Sequence, residues 1–126
     1  MRSLNQKKQY TEAITVRSDL AKFYQATPPI IESETGYSYA RLGRHREALQ
    51  KIAQLGAIAR QAYADPFLTS VVYLGLGDKD QTFQWLDQAL AVKSALMTTL
   101  INDPKWDALR SEPRFKELLG HLNPNR

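Results

Sequence analysis

Apolar residues along this chain recur at the three-and-four spacing of amphipathic helices, and nowhere do they alternate singly as a half-buried strand requires. Ala48, Leu49, Ile52, Leu55, Ile58 and Ala59 fall on one such stripe, and Phe83, Leu86, Ala89 and Leu90 on another. Each stripe follows a shorter apolar-rich segment and a glycine: Ile30, Tyr37 and Ala40 before Gly43, then Phe67, Val71, Tyr73 and Leu74 before Gly77. Glycine just past the last periodic position supplies the left-handed residue that ends many helices. The pattern therefore predicts helices from about Pro29 to Leu42 and from His45 onward, then from Pro66 to Gly77 with a partner beyond it. Asp65 is a good N-cap for the third of these, and Pro66 suits its first turn, where the missing N–H is not needed.

The two helix–turn–helix units are copies of each other. A shift of 34 residues pairs Thr35 with Thr69, Tyr39 with Tyr73, Leu42 with Leu76, Gly43 with Gly77, Gln50 with Gln84, Gln54 with Gln88 and Ala57 with Ala91. Chance would give about one or two identities over such a window, so seven in register mark an internal repeat. Upstream, a shift of 35 aligns Glu12-Ala13-Ile14 with Glu47-Ala48-Leu49 and Leu20 with Leu55. Tyr10 to about Gln25 thus reads as the second helix of an earlier, partial copy, with Lys8 where the turn glycine would stand. Thr27-Pro28-Pro29 breaks the chain before the next helix.

Beyond Val92 the register is lost. Ser94 to Ile101 predicts a short helix carrying Leu96, Leu100 and Ile101. Asn102-Asp103-Pro104 caps a further turn through Trp106 and Leu109, and Ser111-Glu112-Pro113 opens a helix with Phe115, Leu118 and Leu119. From Gly120 onward the chain reads as a frayed end. A single domain over 1–126 results, divided into a half-repeat (9–26), two repeats (29–60 and 65–92) and a helical capping tail (94–121).

Composition narrows the classes without naming a role. Hydrophobic content of 43% and charged content of 24% are ordinary for a globular domain. Seventeen Lys+Arg against 13 Asp+Glu give a net charge of +4, too mild to demand a nucleic-acid partner. No aromatic platform is interleaved with the basic residues, so single-stranded nucleic acid is not expected either. The absence of cysteine removes disulfides, thiolate zinc sites and thiol nucleophiles. No run of eighteen apolar residues offers a membrane span, and Met1 to Lys8 lacks the apolar core of a signal peptide. The cytoplasm is the favoured compartment.

The repeated unit resembles the tetratricopeptide repeat, whose pattern runs W-x2-L-G-x2-Y, A-x3-F and P on 34 residues. Gly36, Tyr39, Gly43, Ala48 and Ile52 match in one copy, and Tyr73, Gly77, Leu86 and Ala89 in the next, where Ser70 replaces glycine and Thr82 alanine. Glu32 and Thr35, then Pro66 and Thr69, stand where the pattern has Trp and Leu. The stretch from Asn102 to Phe115 resembles the tail that closes repeat arrays in bacterial winged-helix regulators, nucleotide cyclases and protein kinases. The resemblance implies an all-α, right-handed superhelix of antiparallel helix pairs with a short helical C-terminal tail. It also implies a non-enzymatic protein-binding or scaffolding module, part of a larger bacterial protein.

In such arrays the first helix of each repeat lines a concave groove, here Ile30, Ser33, Tyr37, Arg41, Phe67, Val71 and Leu74. Members that clamp a terminal carboxylate use Lys, Asn and Arg there; this chain offers Tyr37, Val71 and Phe67, with Arg41 the one cation. An apolar groove has three candidate occupants: a partner protein or peptide, a second copy of the chain, or the chain's own tail. A small ligand sensed in the groove is the alternative of a different class, and a stand-alone homodimer a weaker one.

No catalytic set, cofactor site or metal site is legible. His45 and His121 have no His-x-x-x-His or Glu-x-x-His partner and read as surface residues. Asp78 and Asp80 serve the N-terminus of a helix, and Gly75-x-Gly77 is a helix end with no Gly-Lys-Ser/Thr after it. Arg41, Arg44, His45, Arg46 and Lys51 form the densest basic cluster, expected as a solvated turn with Arg46 and Lys51 outward and partly paired with Glu47. Trp85 and Trp106 read as packing residues.

Overall fold

The computed structural model describes residues 4–21 and 28–122. Among them it is all-helical, with no strand. Six α-helices, α1 (Leu4–Ala21), α2 (Pro29–Arg41), α3 (His45–Gln61), α4 (Pro66–Leu76), α5 (Lys79–Ala91) and α6 (Pro113–Leu122), are joined after α5 by two 3₁₀ segments, Ala95–Leu100 and Pro104–Leu109. α1 packs on α2, which lies against both α3 and α4, and α4 in turn packs on α5.

Three chain reversals share one hydrogen-bond pattern. Gly43 and Arg44 donate to the carbonyls of Ala40 (3.0 Å) and Tyr39 (2.9 Å), and Gly77 and Asp78 donate to those of Leu74 and Tyr73 (both 3.1 Å). At the end of α5, Lys93 and Ser94 donate to Leu90 and Ala89 (both 3.0 Å). All three are the paired capping bonds that satisfy the last carbonyls of a helix. Gly43 and Gly77 take φ values of +82° and +79°, but in the third turn a lysine, Lys93, sits at +58°. Left-handed geometry costs a residue with a Cβ about 1–2 kcal/mol, partly offset by the extra freedom glycine brings to the unfolded chain. Lys93→Gly is therefore expected to raise stability by about 0.5–1 kcal/mol, read as a higher urea midpoint at unchanged slope.

Side-chain caps mark the starts of α4, α5 and both 3₁₀ segments. Asp65, Asp78, Ser94 and Asp103 accept from the backbone N–H of Phe67, Gln81, Leu96 and Lys105 respectively. Ser94 also donates its hydroxyl to the second carboxylate oxygen of Asp65, tying the start of the tail to the start of α4.

Small residues set how closely α2 and α4 approach. A Cβ on Gly36 would lie 2.9 Å from Val72 Cγ2 and 3.0 Å from Lys51 Cβ. One on Gly75 would lie 2.9 Å from Ala40 Cβ and 3.0 Å from Tyr37 Cδ1. Two apolar clusters result, and α4 is the wall between them. Leu68 and Val72 join Ala40, Ala48 and Leu55 on one side. Phe67 and Val71 join Phe83, Leu86, Ala89 and the tail residues Met97, Leu100, Trp106, Leu109, Phe115 and Leu118 on the other.

Three expectations need correction. α1 begins at Leu4 rather than near Tyr10, and Lys8 lies inside it instead of in a turn. The segment Asn5 to Gln9 is polar and rich in good helix formers, so it propagates a helix without showing an apolar stripe. The expected end of this helix near Gln25 lies outside the described residues. The short helix expected between Ser94 and Ile101 is present as a 3₁₀ segment, Ala95–Leu100; Thr98 and Thr99 turn their hydroxyls back onto the carbonyls of Ala95 and Leu96 at 2.9 and 2.8 Å. α6 runs on through Gly120 to Leu122, held by Leu119 and Leu122 against the larger cluster. Finally, Leu49 is 53% exposed, because α2 and α4 cover only the Ala48–Leu55 face of α3.

Candidate functional site

The seven groove positions divide sharply by burial. Ser33 is buried, its hydroxyl donating to the Leu68 carbonyl at 2.7 Å across the α2–α4 contact. Phe67 and Val71 are buried, and Leu74 packs at the edge of the same cluster. What covers them is the chain's own tail: the Trp106 ring lies 5.6 Å from that of Phe67, and Phe115 backs it at 6.4 Å. Ile30 is exposed, while Tyr37 and Arg41 are half-buried. Arg41 Nε is enclosed with no hydrogen-bond partner.

An open hollow remains where α1, α2 and the second 3₁₀ segment meet. It encloses about 270 Å³ and is lined by Gln9, Tyr10, Ala13, Arg17, Glu34, Tyr37, Ser38 and Lys105. Tyr10 and Tyr37 meet edge to face, their ring centroids 6.2 Å apart at 73°. Arg17 Nε donates to Glu34 Oε2 at 2.8 Å, bracing α1 on α2. Lys105 reaches the site from the tail. The Asp103 cap fixes its backbone, and its ammonium stands 4.9 Å from the centre of the Tyr37 ring. Burial, then the neighbouring Tyr10, pushes the Tyr37 phenol up to about 12, against the opposing pull of Arg41. Tyr37 thus keeps its proton, its hydroxyl hydrogen-bonded with Tyr10. Two aromatic rings, one cation and one braced ion pair suit recognition of a polar chain with an apolar side group.

Tyr10, Arg17, Glu34 and Lys105 escape the sequence reading, because α1, α2 and the second 3₁₀ segment that carry them are brought together only by the fold. Lys105 alone carried a signal, its place just after the Asn102-Asp103-Pro104 cap.

The basic cluster does not form one surface. Arg44 pairs with Glu47 at 2.6 Å and lies over the Tyr39 ring at 4.9 Å; its hydrogen bond holds the Glu47 carboxyl below the usual carboxylate range. Lys51 pairs instead with Glu32 at 3.3 Å, and Glu32 is only 5% exposed. The expected partnership of Lys51 with Glu47 is thereby corrected: Lys51 points between α2 and α3, not outward. His45, Arg46 and His121 are exposed. Trp106 is fully buried and Trp85 half-buried. Among the described residues no three His, Asp or Glu side chains gather as a metal would require, and no helix is long and apolar enough to cross a membrane.

No family model, curated protein or solved structure matches this chain.

Proposed function

We propose that this chain is a protein-binding or scaffolding module of tetratricopeptide-like helix pairs, arranged as a right-handed superhelix. In this reading it takes a short stretch of a partner polypeptide into the hollow at Tyr10, Tyr37 and Lys105. The recurrence of the same capped turn at Gly43 and Gly77, 34 residues apart, supports the repeat reading. The observation that carries the location is the tail itself: it fills the inner face of α4 and leaves the hollow open. Size argues for a peptide side group over a free metabolite, since about 270 Å³ lies just below the usual range for small-molecule pockets, roughly 300–1,000 Å³. A small-ligand sensor is the second reading, and it predicts a soluble metabolite that raises the melting temperature.

Selection of a displayed peptide library on the full chain tests the proposal. Retained peptides are expected to lose at least about tenfold in affinity, roughly 1.4 kcal/mol, on Lys105→Glu with helicity and melting unchanged, and on Tyr10→Ala, which also gives up the edge-to-face contact with Tyr37 and melts lower. Peptides whose binding ignores both substitutions, or a library that yields none, would sink it.

A further inference from the structure

Five lysine or arginine side chains are half-buried among the described residues, and a charge partly removed from water needs a partner. Three have one. Arg17 meets Glu34 at 2.8 Å, Lys51 meets Glu32 at 3.3 Å, and Arg110 meets Asp107 at 2.8 Å while also donating to the carbonyls of Leu100 and Asp103. The other two, Arg41 and Lys105, both stand beside Tyr37. Arg41 lies one turn beyond it on α2, near enough to pull on its phenol, and its Nε is enclosed with no hydrogen-bond partner. The Lys105 side chain is 26% exposed, and its ammonium faces the Tyr37 ring. That ammonium comes within 4.0 Å of the Asp103 carboxylate, too far for a hydrogen bond. The other oxygen of Asp103 is occupied by the backbone N–H of Lys105.

We infer that the partner segment is acidic: an Asp or Glu carboxylate accepts from Lys105 while a neighbouring apolar side group packs on Tyr10 and Tyr37. This rests on the hollow being the peptide site. An ammonium with no acceptor in hydrogen-bonding range gains most from an ionised one, because charge-assisted bonds are the strong ones. Glu34, the acid in the lining, is already matched by Arg17, so around Tyr37 two cations, Lys105 and Arg41, stand against Asp103. A basic segment would bring like charge to both. Geometry also sets the spacing on the partner. Lys105 Nζ lies 4.9 Å from the centre of the Tyr37 ring, and an extended chain rises about 3.3 Å per residue. Acid and apolar group therefore fall within two residues of each other.

Three synthetic libraries of short, terminally blocked peptides test this on the full chain. They share their apolar content and differ only in whether the polar positions carry Asp and Glu, Asn and Gln, or Lys and Arg. The acidic library is expected to be retained at least about tenfold more strongly than the neutral one, and the basic one least. Lys105→Glu should turn that order round, a gain for basic peptides that misfolding does not produce. Arg46→Glu changes the net charge equally at the exposed start of α3, outside the hollow, and should leave the order as it is. It separates a local contact from general attraction to a basic protein. Neutral or basic peptides held as well as acidic ones, and lost on Lys105→Glu, would overturn the acidic preference while the hollow keeps its role. An acidic preference that survives Lys105→Glu, or that Arg46→Glu abolishes, overturns it as well. Retention from none of the libraries removes the peptide site and this inference together.

Discussion

Replacing Trp106 by alanine is expected to destabilise the fold by about 3–5 kcal/mol, a large part of the roughly 5–15 kcal/mol that holds a domain of this size together. Trp106 is fully buried. It stands between Phe67 of α4 and Phe115 of α6, at 5.6 and 6.4 Å between ring centroids. Alanine would leave a cavity that rigid helices on both sides cannot close, so the lost transfer energy and the void add together. The indole also carries a cost of its own, because Trp106 Nε1 is buried with no hydrogen-bond partner. Trp106→Phe keeps most of the ring and removes that donor, so its expected loss is far smaller, about 1–2 kcal/mol. Urea unfolding of both variants separates the terms. A Trp106→Ala loss near that of Trp106→Phe would mean the tail is loosely held.

The second large effect belongs to the ion pair between α2 and α3. Lys51→Met keeps the aliphatic stem beside Gly36 but strips the ammonium from Glu32, leaving a carboxylate whose side chain is 7% exposed without its partner at 3.3 Å. Breaking one side of a buried pair costs about 3–5 kcal/mol. The lysine is itself 22% exposed here, which lets solvent reach the pair and places the expected loss nearer 2–3 kcal/mol. Replacing both partners, Glu32→Leu with Lys51→Met, removes the charge and the demand for it, and should recover most of the loss. A double variant no better than the single one would show that Glu32 is needed for its shape.

These two sites also show where sequence reading succeeds and where it stops. Turns are local events, so Gly43, Gly77, Asp65, Asp78 and Asp103 could be read from spacing alone, and the elements they bound follow. The start of α1 could not, because its opening turns, Asn5 to Gln9, are polar all round and have no stripe to detect. Glu32 stood out only as a departure at a tryptophan position; nothing in the chain ties it to Lys51, 19 residues away. The groove positions Phe67, Val71 and Leu74 were placed on the correct helix. Which occupant covers them depends on tertiary packing, and the apolar tail that does so was one of three candidates. Tyr10, Arg17 and Lys105 meet only because three separate elements converge, and convergence of that kind has no linear signature.

α4 has a further consequence, one of dynamics. Its successive residues serve opposite clusters, Phe67 and Val71 one side, Leu68 and Val72 the other. Neither cluster can come apart through α4 without stripping a wall from its neighbour. The backbone amides of α4 are therefore expected to exchange with solvent only when the whole molecule opens, and those of α1, packed chiefly on α2, well before them. Opening would then run from the first helix inward, with α4 the last to let go.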